Sequence, residues 1–152
     1  MGFALAEACA ERGAEVTLVA GPVSLKTHHP AIKRIDVESA GEMYQAAMTA
    51  FPSSDAAILC AAVADYRPEN ASEQKIKRET EREMTLHLVP NPDIAASLGA
   101  IKREGQVMVG FALETNDEAT HAEGKLKRKN LDFIVLNSLR DQGAGFRCDT
   151  NK

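Results

Sequence analysis

The sequence predicts an α/β sandwich built on a mainly parallel sheet, and three observations carry that prediction. Short apolar runs of strand length alternate with helix-length amphipathic segments along the chain, at the spacing of strand–helix units. The run Ala56-Ala-Ile-Leu-Cys-Ala-Ala-Val63 contains no polar residue, as expected of a strand covered on both faces. Directly after it stand a carboxylate, a phenol and a guanidinium, Asp65-Tyr-Arg-Pro68. An open parallel sheet forms its ligand crevice at that end of its strands.

Taken in order, Met1 to Arg12 reads as a helix with Phe3, Leu5, Ala6 and Cys9 on one stripe and Glu7 and Glu11 opposite. Gly13 is its stop. Glu15 to Ala20 reads as a strand ended by Gly21-Pro22, Val23 to Pro30 as a loop, and Ala31 to Val37 as a second strand. The strand and turn that normally precede a helix packed on such a sheet are not seen before Met1. Ser39 is an N-cap, and Glu42 three residues on completes a capping box. The helix from Ala40 to Ala50 buries Met43, Ala46, Ala47 and Met48, and stops before Phe51-Pro52.

After the apolar strand, a polar loop leads to Lys75, Lys77 and Arg78. Met84 to Val89 alternates as a strand does. In Pro90-Asn91-Pro92-Asp93, Asn91 is expected to cap a helix with Pro92 at its first position, running to about Lys102. Val107 to Phe111 reads as a buried strand, Glu118 to Lys129 as a helix, and Leu131 to Leu136 as a last strand before Asn137-Ser138.

A length of 152 residues suits one domain, 1–152, with a real core. A net charge of −4 argues against wholesale binding to nucleic acid or an anionic membrane, so any anion site must be local. The three cysteines, Cys9, Cys60 and Cys148, are far apart and show no C-x-x-C spacing. That pattern fits a reducing compartment, with Cys9 and Cys60 as small buried hydrophobes. No apolar run approaches membrane-spanning length and no signal peptide opens the chain, so a cytoplasmic location is expected.

Three strand ends carry candidate groups, Asp65, Phe111 and Asn137, which a parallel sheet can bring to one edge. Phe111 is either a core residue or the flank of a nucleobase. Lys125 and Lys129, four apart, share a helix face. They either complement the helix C-terminus or clamp phosphates. Pro92 to Ala95 offers helix N-terminal amides to a phosphate, although a plain capped helix has the same sequence. Lys75, Lys77 and Arg78 are either a solvated face or a basic segment closing over an anion. His28, His29, His87 and His121 show no metal-ligand spacing, and no nucleophile–base motif is present.

Ala61-Ala-Val-Ala-Asp65-Tyr-Arg-Pro, Lys75-Ile-Lys-Arg, Asn91-Pro-Asp-Ile, Val109-Gly-Phe-Ala112 with Glu114-Thr-Asn, and Lys129-Asn-Leu-Asp-Phe-Ile-Val together resemble one family. It is phosphopantothenate–cysteine ligase, also called phosphopantothenoylcysteine synthetase. The resemblance covers nearly the whole chain, in order, and five ordered motifs are far more specific than one. It implies a Rossmann-like three-layer fold, a homodimer, and in bacteria fusion to an FMN-dependent decarboxylase. It implies small-molecule substrates, phosphopantothenate, cysteine and CTP with Mg²⁺, joined through an acyl-cytidylate; eukaryotic members use ATP. By motif, Lys75 resembles the catalytic flap lysine, which also contacts the nucleotide. Asp65 resembles a nucleotide contact and Phe111 a base or ribose neighbour. Lys125 and Lys129 resemble the nucleotide-binding lysines, and Ala61 with Pro92, Asp93, Ile94 and Ala95 the family's backbone contacts.

The chain departs from the family in places. The Ser-Asn-x-Ser-Ser-Gly-Lys loop and the strand before it have no counterpart, Leu113 stands where Ala is usual, and Phe146-x-x-Asp149-x-Asn151 leads in the family to further strands. A segment cut at both ends, unable to complete the ligation by itself, is the expectation. The competing reading is an NAD(P)-binding reductase or a non-catalytic nucleotide-binding module. Against the reductase, the strand ending Ala20-Gly21-Pro22 lacks the acidic residue that a dehydrogenase places on its ribose. Neither Tyr44 nor Tyr66 is followed four residues later by Lys.

Overall fold

A computed structural model describes residues 1–72, 74–77, 83–114 and 118–138, leaving aside the side chains of 113, 114, 118–121, 137 and 138. The first helix, α1 (Gly2–Glu11), ends where Gly13 takes φ 91°, a left-handed value that suits glycine. The chain then reverses into β1 (Val16–Ala20), which pairs in parallel with β2 (Ile32–Asp36) from Val16↔Ile32 to Ala20↔Asp36.

The helix α2 (Ala40–Ala50) begins with the expected box, reaching one residue further out. Ser39 Oγ accepts from the Glu42 N–H at 3.1 Å, and Glu42 Oε2 accepts from the Glu38 N–H at 2.8 Å. A 3₁₀ turn, Phe51–Ser53, closes it at Pro52. Met43, Ala46, Ala47 and Met48 are half-buried rather than buried.

A second parallel sheet has the order β3-β6-β7, from β3 (Ala56–Leu59), β6 (Val107–Glu114) and β7 (Phe133–Ser138). Between them lie α3 (Ile94–Ile101) and α4 (Glu118–Arg128). Phe51, Leu98, Met108 and Leu131 form the core, with Ala47, Met48, Leu126 and Ile134 packed on it. The buried Gln106 amide donates to Phe51 O at 3.0 Å and Ser54 O at 2.6 Å and accepts from the Arg103 N–H at 2.8 Å. A polar group inside this core is therefore satisfied. Lys102 Nζ and the Met108 N–H both reach Asp132 Oδ2 at 2.6 Å, bracing α3 and β6 against β7. Lys102, then the Met108 N–H, holds the Asp132 carboxyl below the ordinary range.

The strand expected to be buried on both faces is corrected. Only Ala56–Leu59 is strand, Ala56 is exposed and Ile58 is 41% exposed, because β3 is the sheet's edge among the described residues. Ala61, Ala62 and Ala64 are apolar but small, and bury too little area to hold the run in the sheet. Cys9 and Cys60 are half-buried rather than buried; burial still pushes the Cys60 thiol up.

Tyr66-Arg-Pro68, expected only as a polar cluster following the apolar strand, is itself a strand, β4 (Tyr66–Pro68), paired antiparallel with β5 (Leu88–Pro90). The strand expected over Met84–Val89 is confined to β5; β4, β5 and the described residues between them (69–72, 74–77 and 83–87) form an arm, which Glu69 N–H to His87 O at 2.8 Å extends. The α3 cap is corrected too. It is Asp93, whose side chain accepts from the Ala96 N–H, so Pro92 lies before the helix. Arg78, Thr115 to Asp117, Cys148 and the Phe146–Asn151 motif lie outside the described residues. Among the described residues no helix is long and apolar enough to cross a membrane.

Candidate functional site

The first turn of α3 is the best-defined part of the site. Asp93 Oδ1 accepts from the Ala96 N–H at 3.0 Å, while Lys129 Nζ stands 3.0 Å from Oδ2. Burial raises the Asp93 carboxyl, but the Ala96 N–H and then Lys129 outweigh it and hold it below the ordinary range. First-turn amides of a helix, here those of Ile94 and Ala95, have no intrahelical acceptor and suit an anion. Lys129 comes from just beyond α4, where its N–H is bonded to Lys125 O at 3.0 Å. Lys125 is half-buried one turn earlier.

A second set of contacts joins this turn to the segment after β3. The Asn91 N–H donates to Asp65 O at 2.7 Å, and Asn91 Nδ2 donates to Ala64 O at 2.9 Å. Arg67 Nη1 donates to Pro90 O at 2.9 Å and Asn91 Oδ1 at 3.2 Å. The structure thus places Asp65, the base of the arm and the approach to Pro92-Asp93 side by side. Ala61 and Asp65 are exposed in the loop leading to β4.

Phe111 lies within β6 rather than at its end, paired with Val135, one position past the Gly110↔Leu59 pair that ends β3. It is half-buried and outside the core cluster. Asn137 lies in β7 opposite Leu113, with its side chain outside the described residues. Lys75 is exposed on the arm and makes no ion pair among the described residues. Sequence reasoning named Asp93 and Lys129 without pairing them, and took Asn91 for a cap. The signal for Asn91 was its place between Pro90 and Pro92. Two residues without N–H donors leave its backbone and amide for long-range partners.

Among the described residues no three His, Cys, Asp or Glu side chains are grouped as a metal-ion cluster.

Comparison with known proteins gives a consistent picture. The profile of the family described as DNA/pantothenate metabolism flavoprotein C-terminal domain matches residues 1–152. The chain is 51% identical over 152 residues to coenzyme A biosynthesis bifunctional protein CoaBC of Vibrio parahaemolyticus serotype O3:K6, covering 99% of this chain and 38% of that protein. It is 46% identical over 153 residues to the Escherichia coli K12 protein of the same name, covering 99% and 37%. A protein named cysteine/cysteine sulfinic acid decarboxylase, from an unknown prokaryotic organism, is 58% identical over 152 residues, covering 100% and 42%. The crystal structure of the C-terminal domain of CoaBC superposes with a TM-score of 0.76 at 36% identity, covering 90% of this chain and 62% of that one. A DNA/pantothenate metabolism flavoprotein from Streptococcus pneumoniae superposes with a TM-score of 0.72 at 21% identity, covering 88% and 69%, a likeness of fold alone. The chain spans well under half the length of the curated relatives it matches. The α/β fold, with its parallel strands joined through helices, is Rossmann-like.

Proposed function

The chain belongs to the DNA/pantothenate metabolism flavoprotein C-terminal domain family, and from that premise we propose that it is the ligase portion of a phosphopantothenate–cysteine ligase of coenzyme A biosynthesis. The carboxylate of 4′-phosphopantothenate attacks the α-phosphate of CTP, giving an acyl-cytidylate and pyrophosphate. The amine of cysteine then attacks the acyl carbon, CMP leaves, and an amide forms.

The observation that supports this reading is the cationic, amide-lined turn at Asp93, with Lys129 at 3.0 Å and the Asp65 loop tied to the same segment by Asn91. Polyphosphate chemistry concentrates negative charge in the transition state, and preorganised N–H groups and ammoniums offset it. In this reading Lys125, Lys129 and the amides of Ile94 and Ala95 hold phosphates. Pro92 and Asp93 shape that turn, and Ala61, Asp65 and Phe111 flank the nucleoside. Lys75 arrives on the arm to the reacting centre, as the catalytic lysine. Mg²⁺ would enter with the triphosphate and offset part of its charge.

A homodimer is part of the proposal. Tyr66, Ile76, Met84, Leu86 and Leu88 are each 55–61% exposed, and all lie on the arm or its base. Such an accumulation of apolar surface suits an interface with a second copy. The partner in the same polypeptide is a decarboxylase domain outside this chain, where any FMN would be held. Calorimetric titration of the intact protein with CTP, ATP and NADPH, followed by mass spectrometry for phosphopantothenoylcysteine, tests the reading. CTP binding tightest and product forming is the expected result; NADPH binding tightest would overturn it.

A further inference from the structure

We infer that Asn91 is a positioning residue that sets the nucleotide-contacting loop against the first turn of α3; the inference rests on the ligase reading above. One residue holds two successive carbonyls of that loop, Asp65 O through its backbone N–H at 2.7 Å and Ala64 O through Nδ2 at 2.9 Å. Its own amide is oriented by Arg67, which donates to Oδ1 at 3.2 Å and to the neighbouring Pro90 O at 2.9 Å. The two contacts fix which end of the amide faces which partner, Oδ1 to the guanidinium and Nδ2 to the carbonyl.

The flanking residues make the anchor stiff. Pro90 and Pro92 fix their own φ, and Pro92 confines Asn91 to extended backbone, so little freedom remains to be lost when the contacts form. Two residues on, Asp93 caps α3 and meets Lys129. The arm that carries Lys75 starts from the same pair of strands, in which Tyr66 faces Pro90. Asn91 therefore sets the distance between loop, arm and phosphate-binding turn without touching substrate itself. The first two are exposed, so this tie has leverage over their placement.

Asn91→Asp is the discriminating variant. It keeps the size of the side chain and an acceptor for Arg67 but turns an oxygen towards Ala64 O, which a carboxylate cannot satisfy. In the intact protein the KM for CTP is expected to rise about tenfold, the scale of one lost hydrogen bond. The KM for cysteine should stay within about twofold of wild type, as should kcat at saturating CTP. Asn91→Ala should shift the same constant in the same direction. A side chain that only stabilised the fold would lower the active fraction, reducing kcat and leaving every KM in place. A KM for CTP unchanged in Asn91→Asp, in an otherwise active enzyme, overturns the assignment alone. A wild-type protein that makes no product overturns the ligase reading, and this assignment with it.

Discussion

Lys129 Nζ lies 3.0 Å from Asp93 Oδ2, joining the end of α4 to the first turn of α3. Asp93 serves both contacts with different oxygens, Oδ1 capping the helix and Oδ2 meeting the ammonium. On the proposed ligase reading, a polyphosphate arriving at this turn would compete with Asp93 for the lysine that the ion pair now holds in place.

Separating the two roles of Asp93 is straightforward. Asp93→Ala removes the cap and is expected to lower stability by about 1 kcal/mol in urea denaturation. Asp93→Asn keeps an accepting oxygen and loses only a partly exposed ion pair, so its loss should stay below roughly 0.5 kcal/mol. Equal losses in the two variants would contradict the capping role.

Acid should remove the same contribution. The folded state holds the Asp93 carboxyl below its ordinary range, so the unfolded chain takes up the proton first. The stabilisation is complete above that ordinary range and is lost as pH falls through the lower, folded value. Urea midpoints of wild type and Asp93→Asn, measured at descending pH, should converge there. Asp132, also depressed, is present in both proteins and cancels from the difference. Midpoints that diverge on acidification would reverse the sign of the argument.

Gly99 and Gly124 form a matched pair of substitutions. A Cβ on Gly99 would collide with Lys129 O, a backbone atom that cannot swing aside, whereas one on Gly124 meets nothing within 4 Å. Gly99→Ala should cost about 1–3 kcal/mol or more through forced separation of α3 from the 129–130 turn. Gly124→Ala, inside a helix, should raise stability by about 0.5–1 kcal/mol. Thermal melting reads both, and a tolerated Gly99→Ala would refute the close approach.

Lys75→Gln should impair turnover far more than folding. Lys75 is exposed on the arm, so its replacement should move stability by less than roughly 0.5 kcal/mol. Pyrophosphate release and product formation by the intact enzyme measure the loss, and unchanged turnover would remove Lys75 from the reacting centre.

Leu86→Glu tests the arm as the interface. Leu86 is 58% exposed, so the charge disturbs no core of this chain, but it would be desolvated if a second copy covered it. Sedimentation at fixed concentration should show the intact protein passing from dimer to monomer. An unchanged mass would place the interface elsewhere.

What the sequence determined by itself was local. The end of α1 at Gly13 and the reach of α2 between Ser39 and Phe51 follow from residues at most a turn apart, where left-handed backbone and cap chemistry act without the rest of the molecule. The alternation of strands and helices was legible because periodicity is also local. The family's motifs named the candidate site residues, but not which of them meet. Tertiary structure decided that Asn91 binds Ala64, 27 residues away, instead of capping α3, and that Lys129 pairs with Asp93. It also left β3 half exposed, since an apolar run cannot state what lies beside it. Asn91 and Asp93 are both good caps in isolation. The choice between them fell to Asp93 because the Asn91 amide was already committed to the Ala64 carbonyl and the Arg67 guanidinium, groups that only the folded sheet brings within reach.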